Sequence, residues 1–158
     1  MKRTIWLIAA LSITQPALAW EMNSSDTKKA WSYAAFQADK SGGVELQFYC
    51  DETYPKDIQM LVFTDLDARD GDSDFPSVTV QAVVDGETFA DLSGYYDAVD
   101  GERTVVVDTL EEERVRDILT AARAAKQPLM VEYDGRSHRF AVDGIEAVLG
   151  DFVDGCER

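Results

Sequence analysis

The segment from Asp65 to Pro76 holds the residues best suited to bind a hard cation. Five carboxylates stand within ten positions of it: Asp65, Asp67, Asp70, Asp72 and Asp74. Clustered carboxylates on a loop are the ligands that Ca²⁺ prefers. The spacing does not fit an EF-hand, because a register starting at Asp65 places Arg69 at the fifth position and Asp70 where glycine is obligatory. We interpret the segment as a solvated acidic loop, with a Ca²⁺ or small-ligand site of another kind as the alternative.

His138 is the single histidine of the chain, and it follows Ser137 directly. Catalysis by Ser, His and Asp needs the imidazole in contact with its nucleophile, whereas neighbouring side chains of a strand point to opposite faces. The chain has no nucleophile elbow, no P-loop and no dinucleotide-binding glycine motif. With 30 acidic residues, two carboxylates at glycosidase spacing are expected by chance. The sequence therefore predicts no enzyme and no cofactor beyond the Ca²⁺ alternative.

The first 19 residues have the pattern of a secretory signal. Lys2 and Arg3 precede a short apolar run, Ile5 to Ile13, and Ala17 to Ala19 supply a cleavage site of the A-x-A type. The apolar run is too short to span a bilayer core of about 30 Å as a helix. We expect residues 1–19 to be a signal peptide, residues 20–158 to form a single domain, and the product to be periplasmic or secreted.

Cys50 and Cys156 are the only cysteines. An oxidising compartment favours a disulfide between them, which would close a loop of about 100 residues and stabilise the fold by about 4–5 kcal/mol in the chain-entropy model. Free thiols and a bond to a partner are the alternatives. A redox-active pair is not expected, because no C-x-x-C spacing exists.

The charge of the chain narrows the class of partner. The formal net charge is −15, and removal of Lys2 and Arg3 with the leader would bring it to −17. Such a charge opposes binding to nucleic acid or to an anionic membrane and favours cationic partners. Tyr95 and Tyr96 stand beside Gly94 in a segment that we interpret as a loop, 93–102. Exposed aromatic side chains often anchor a protein partner, so these tyrosines are the candidate contacts.

The elements that must position these residues follow from apolar periodicity. Alternation with period 2 predicts strands at 31–38, 44–50, 58–64, 77–84, 88–92, 103–107, 129–133 and 138–142. Residues 23–29 are predicted to be a loose lead, and residues 54–57 a turn. Hairpins outnumber β-α-β units, which predicts an α+β fold with a mostly antiparallel sheet or sandwich.

Two helices are predicted near the C-terminus. The first covers 110–126, with Thr109 and Glu112 at capping-box spacing and Pro128 after its end. The second is shorter, near 145–153, and ends at Gly155, with Cys156 just beyond. The predicted fold is thus a disulfide-tied sheet with one long and one short C-terminal helix.

The C-terminal third resembles two families of small exported proteins from Gram-negative bacteria. The shared pattern is a helix, the strand Leu129-Met130-Val131, the segment from Phe140 to Gly144, and a short helix containing Val148-Leu149 before a terminal cysteine. It is similar to the invasion-associated locus B-like family and to the type VI secretion-associated VasI-like family. The earlier cysteine usual in the first family is missing here. The resemblance implies an envelope location, a disulfide-tied β-rich fold and a non-enzymatic interaction role, and it implies no site residues.

Overall fold

A computed structural model describes residues 19–27, 30–53 and 57–157. The predicted leader, apart from Ala19, and most of the predicted turn at 54–57 lie outside these residues. The described part contains strands β1 Glu21–Asp26, β2 Trp31–Ala38, β3 Glu45–Asp51, β4 Gln59–Asp67, β5 Ser77–Val84, β6 Glu87–Val99, β7 Glu102–Val107, β8 Leu129–Tyr133 and β9 Arg136–Phe140, with helices α1 Glu112–Arg123 and α2 Ile145–Cys156. Among the described residues, no helix is both long enough and apolar enough to cross a bilayer.

The strands form one nine-stranded sheet in the order β1-β2-β3-β4-β7-β6-β5-β8-β9, and every neighbouring pair is antiparallel. The predicted α+β class with a mostly antiparallel sheet is therefore confirmed. The sheet is curled, as hydrogen bonds between residues near its two edges show. The Trp20 indole N–H donates to the Ala141 carbonyl oxygen at 2.8 Å, and the Trp20 amide donates to the Asp143 carbonyl at 3.2 Å.

The hydrophobic core lies on one face of this curled sheet, which we call the core face. Alternate residues of the strands point into it, as the burial of Leu46, Phe48 and Cys50 on β3 shows. Both helices pack on this face, α1 against β4 and β5, and α2 against β1 and β2. Helix α1 buries the stripe that its sequence predicts: Val115, Ile118, Leu119 and Ala122.

The helix lengths differ from the prediction, since both helices have 12 residues. The first starts later than expected because a 3-10 turn, Thr109–Glu111, precedes it. The predicted capping box at Thr109 and Glu112 is wrong, since the Asp108 carboxylate accepts a hydrogen bond from the amide of Leu110 and caps this turn instead. Asp108 competes successfully because its side chain already stands at the end of a strand, with extended backbone dihedrals typical of a cap.

The sequence predicted that the second helix ends at Gly155. In the structure, α2 continues through Gly155 to Cys156. Gly155 is required by a close approach, because a Cβ at this position would lie 2.8 Å from the ring of Tyr33 on β2. The helix therefore carries Cys156 onto the sheet. The predicted disulfide between Cys50 and Cys156 is confirmed, with a Cα–Cα distance of 6.0 Å and a separation of 106 residues.

Two segments that were predicted to be a loose lead, 23–29, and a loop, 93–102, contain strands instead. Residues 21–26 form strand β1 although all six are exposed, so the pairing with β2 leaves no apolar alternation to detect. The predicted loop at 93–102 is mostly the second half of the 13-residue strand β6. Gly94 suggested a loop, but it is there because a Cβ would lie 2.8 Å from the Val106 carbonyl oxygen on the neighbouring strand β7.

Candidate functional site

Polar side chains gather at one end of the core face, which we call the polar end. Antiparallel pairing places the last residues of β2, β4, β6 and β8 beside the first residues of β7 and β9. The opposite end, which we call the helix end, holds α2, Gly155 and the disulfide. The side chains that the strands and their flanking turns bring to the polar end are Asp39, Thr64, Tyr96, Arg103, Tyr133, Asp134, Arg136 and His138.

The histidine lies between a carboxylate and a tyrosine at this end. Nδ1 of His138 is 3.1 Å from Oδ2 of Asp39, and Nε2 is 3.3 Å from the Tyr133 hydroxyl. Because an ionised carboxylate only accepts, Nδ1 carries a proton toward Asp39, and Nε2 lies within hydrogen-bond distance of the Tyr133 hydroxyl. The imidazole and phenol rings also stack, with centroids 5.5 Å apart. This hydrogen-bonded network of Asp39, His138 and Tyr133 links the end of β2 to β8 and β9 and helps to close the curled sheet.

Burial and hydrogen bonding shift the pKa values of two residues in this hydrogen-bonded network. Burial raises the pKa of Asp39, but hydrogen bonds from the Ser41 hydroxyl, from His138 and from backbone amides outweigh it and hold the pKa below its ordinary value. Burial raises the pKa of Tyr133, although the charge of Arg136 opposes this. A nucleophilic tyrosine needs a lowered pKa. Ser137, which precedes the histidine, is exposed.

The five aspartates of the acidic segment do not converge on one point. Asp65 and Asp67 belong to β4, Asp72 and Asp74 lie in a 3-10 turn, and Asp70 is exposed before it. Within the described residues, no group of three or more His, Cys, Asp or Glu side chains is placed to hold a metal ion.

Asp72 is 2% exposed and is already occupied. Its Oδ1 accepts from Nε of Arg103 at 3.1 Å, and its Oδ2 accepts from the amide of Arg69 at 2.7 Å. The carboxylate therefore anchors the loop to the start of β7. It holds two basic residues at the polar end instead of a cation.

Those residues belong to a cavity of about 240 Å³, which we call the arginine cavity. Its walls are Thr64, Leu66, Arg69, Tyr96, Arg103, Tyr133, Asp134 and Arg136. The Arg103 guanidinium lies over the ring of Tyr96, 3.6 Å from its centroid. Guanidinium groups in such a cavity present several N–H donors to an oxyanion.

The two candidate tyrosines have opposite environments, because neighbouring residues of a strand face opposite sides. Tyr96 is 5% exposed and its hydroxyl donates to Asp134, so it is not available as an exposed anchor. Burial and this carboxylate raise its pKa to about 12. Tyr95 is half-buried on the other face. Burial, together with the charges of Asp97 and Asp108, raises its pKa as well.

Tyr95 borders an open cleft of about 700 Å³ over β5 and β6, which we call the aromatic cleft. Phe75 forms its other aromatic wall, edge-on to Tyr95 with ring centroids 5.4 Å apart. Phe75 is 54% exposed and has φ 53°, a left-handed conformation that bulky residues rarely adopt. Two acidic residues, Asp108 and Asp134, are the charged members of the lining.

Sequence reasoning missed Phe75 and the three arginines. Phe75 stands between an aspartate-rich segment and Pro76. A large apolar residue in such a polar segment could have indicated an exposed contact residue. The arginines are far apart in sequence and carry no motif, so only the strand order brings them together.

Fold and site together define an acidic, disulfide-tied β-sheet protein whose concave features include the arginine cavity at its polar end and the aromatic cleft beside it. Comparisons with protein-family models, with curated proteins and with solved structures find no significant match to this chain.

Proposed function

We propose that this chain is an exported, non-enzymatic interaction protein of the bacterial envelope, and that its aromatic cleft docks a cationic segment of a partner protein. The observation that carries the proposal is the pairing of exposed Phe75 with Tyr95 above a cleft whose charged lining is acidic. Aromatic anchors flanked by complementary charge are typical of protein recognition surfaces.

The net charge, the features that indicate export and the state of His138 and Tyr133 each support the proposal. The net charge of −15 steers cationic partners toward the surface and speeds their association. The signal-like residues 1–19, the disulfide and the resemblance to small exported Gram-negative proteins support the location. The raised pKa of Tyr133 and the occupied ring nitrogens of His138 support a role without catalysis.

The cleft is also held in place by the polar end. Asp72 accepts from Arg103, and the Asp72 carbonyl oxygen accepts from the amide of Phe75 at 3.0 Å. The buried ion pair thus fixes the turn that presents the exposed ring. A preorganised aromatic side chain loses less entropy when it binds.

The test is affinity capture from an envelope extract with elution by a salt gradient. The parent chain is compared with Phe75→Ser/Tyr95→Ser and with Leu110→Ser. Leu110 is 91% exposed and does not line the cleft, so it controls for the loss of an exposed apolar side chain. We expect one protein to elute over a narrow salt window from the parent and the control, and to be absent from the double variant.

Equal recovery by all three chains would contradict the cleft as the docking site. Recovery that does not depend on salt would contradict the charge argument, because screening at higher ionic strength must weaken an attraction between opposite charges.

A further inference from the structure

We infer that the arginine cavity is a binding site for a small oxyanion, a carboxylate or phosphate group of a small molecule. The first observation is the charge of its walls. Arg69, Arg103 and Arg136 face one cavity of about 240 Å³, and Asp134 is the one acidic residue among its lining residues. The chain has 30 acidic and 15 basic residues, so the excess of basic residues around this cavity is opposite in sign to the net charge of the protein.

The second observation is the state of the central arginine. The Arg103 side chain is 15% exposed and uses Nε–H on Asp72, while the ring of Tyr96 covers one face of the guanidinium. Within the described residues, its two terminal nitrogens make no hydrogen bond to the protein, and neither is fully buried. Their N–H groups are oriented by the ion pair and remain free to donate.

The other two arginines complete the donor set from different elements. Arg69 comes from the loop after β4, and Arg136 begins β9. In the described part of the chain, neither side chain forms an ion pair with a carboxylate. The carboxylates of Asp72 and Asp134 stand against three guanidinium groups, which leaves one positive charge uncompensated. Planar N–H forks suit carboxylate and phosphate oxygens.

The remaining walls limit the size and kind of ligand. The Thr64 hydroxyl is committed to the Arg103 carbonyl oxygen, and the Tyr96 hydroxyl is committed to Asp134. Leu66 and the two tyrosine rings add apolar surface. A cavity of this volume is below the range of about 300–1,000 Å³ typical of drug-sized ligands. It therefore fits a small anion better than a large cofactor, and it is separate from the aromatic cleft except for Asp134.

The test titrates the whole chain with inorganic phosphate and, in a second arm, with succinate. The readout is the Nε–H signal of each arginine in ¹H–¹⁵N spectra, with sodium chloride at matched ionic strength as the reference. We expect saturable shifts of the Arg69, Arg103 and Arg136 signals. The tighter of the two probes identifies phosphate or carboxylate as the preferred group.

The variant Arg69→Gln/Arg136→Gln removes two exposed guanidinium groups and leaves the Arg103–Asp72 pair intact. We expect at least a tenfold loss of affinity, since one charge-assisted hydrogen bond already accounts for about that factor. Arg139→Gln is the matched control, because Arg139 is exposed on the same strand β9 and does not line the cavity. Shifts that chloride reproduces, that do not saturate, or that persist unchanged in the double variant would overturn the inference.

Discussion

The two ends of the core face differ in what holds them together. At the helix end, α2 packs on β2, Gly155 lies against Tyr33, and the disulfide joins helix to sheet. At the polar end, the sheet is closed by hydrogen bonds and ion pairs among groups whose charges partly cancel. Apolar burial and a covalent link supply most of the stability at the helix end. At the polar end, hydrogen-bond donors around the cavity are left without an acceptor from the protein. On this basis we propose that the helix end mainly stabilises the fold, and that binding uses the arginine cavity at the polar end and the aromatic cleft beside it.

Removal of the disulfide is expected to have the largest effect on stability. The Cys50→Ala/Cys156→Ala variant opens a loop of 106 residues, and the chain-entropy model predicts a loss of about 4–5 kcal/mol. Urea unfolding at pH 7 measures the loss. Reduction of the parent should lower its free energy of unfolding by a similar amount and leave the variant unchanged. A loss below about 1 kcal/mol would show that the helix end does not depend on its covalent link.

A smaller effect is expected from Gly155→Ala. The added Cβ would lie 2.8 Å from the Tyr33 ring, so either the ring or the helix must shift. Overpacking of this kind costs about 1–3 kcal/mol, which thermal or urea unfolding detects. Gly150→Ala in the same helix is the control, because a Cβ there would lie 3.4 Å from Nη2 at the flexible end of the Arg123 side chain. Equal stability of both variants would mean that the close approach is not constraining.

Asp39→Asn probes the link that closes the polar end. The carboxylate accepts from the Ser41 amide, the Ser41 hydroxyl, the Gly42 amide and His138, so we expect a loss of about 1–3 kcal/mol at pH 7. The pKa of Asp39 is lowered below its ordinary value of 3.8, despite the opposing effect of burial. Its ionised form therefore stabilises the fold above pH 3.8, and this stabilisation is lost as the pH falls through the lower folded-state pKa.

The measurement for Asp39 is the free energy of unfolding of parent and variant from pH 7 down to about pH 3. The difference between them should close at the acid end. The same comparison in a His138→Gln background isolates the titration of the Asp39 carboxylate from the contact with its imidazole partner. A difference that widens on acidification in that background would contradict the assignment.

The sequence predicted the helix end better than the polar end. Strands 31–38, 77–84 and 129–133 have the predicted bounds because their apolar alternation directly reflects the core face. The disulfide followed from a compartment argument and two cysteines. Strand β1 was not predicted because pairing with a neighbour, and not burial of an apolar face, defines it. The second half of β6 was interpreted as a loop because of Gly94, whose small size is required by the neighbouring strand β7.

The polar end depends on topology, which periodicity does not specify. Arg69, Arg103 and Arg136 meet only because the end of β4, the start of β7 and the β8–β9 turn lie at the same end of the sheet. The aspartates of the acidic segment were prominent in the sequence, yet the residues of that segment that line the two proposed sites are Arg69 and Phe75, while Asp72 anchors the turn.

The most direct test of the separation between folding and binding applies two measurements to one variant, Phe75→Ser/Tyr95→Ser. Phe75 is 54% exposed and Tyr95 is half-buried on the face away from the core, so the free energy of unfolding should stay within about 0.5 kcal/mol of the parent. Capture of the salt-eluted partner should be lost. A variant that retains capture, or one that loses both capture and stability, would contradict the claim that the aromatic cleft binds without supporting the fold.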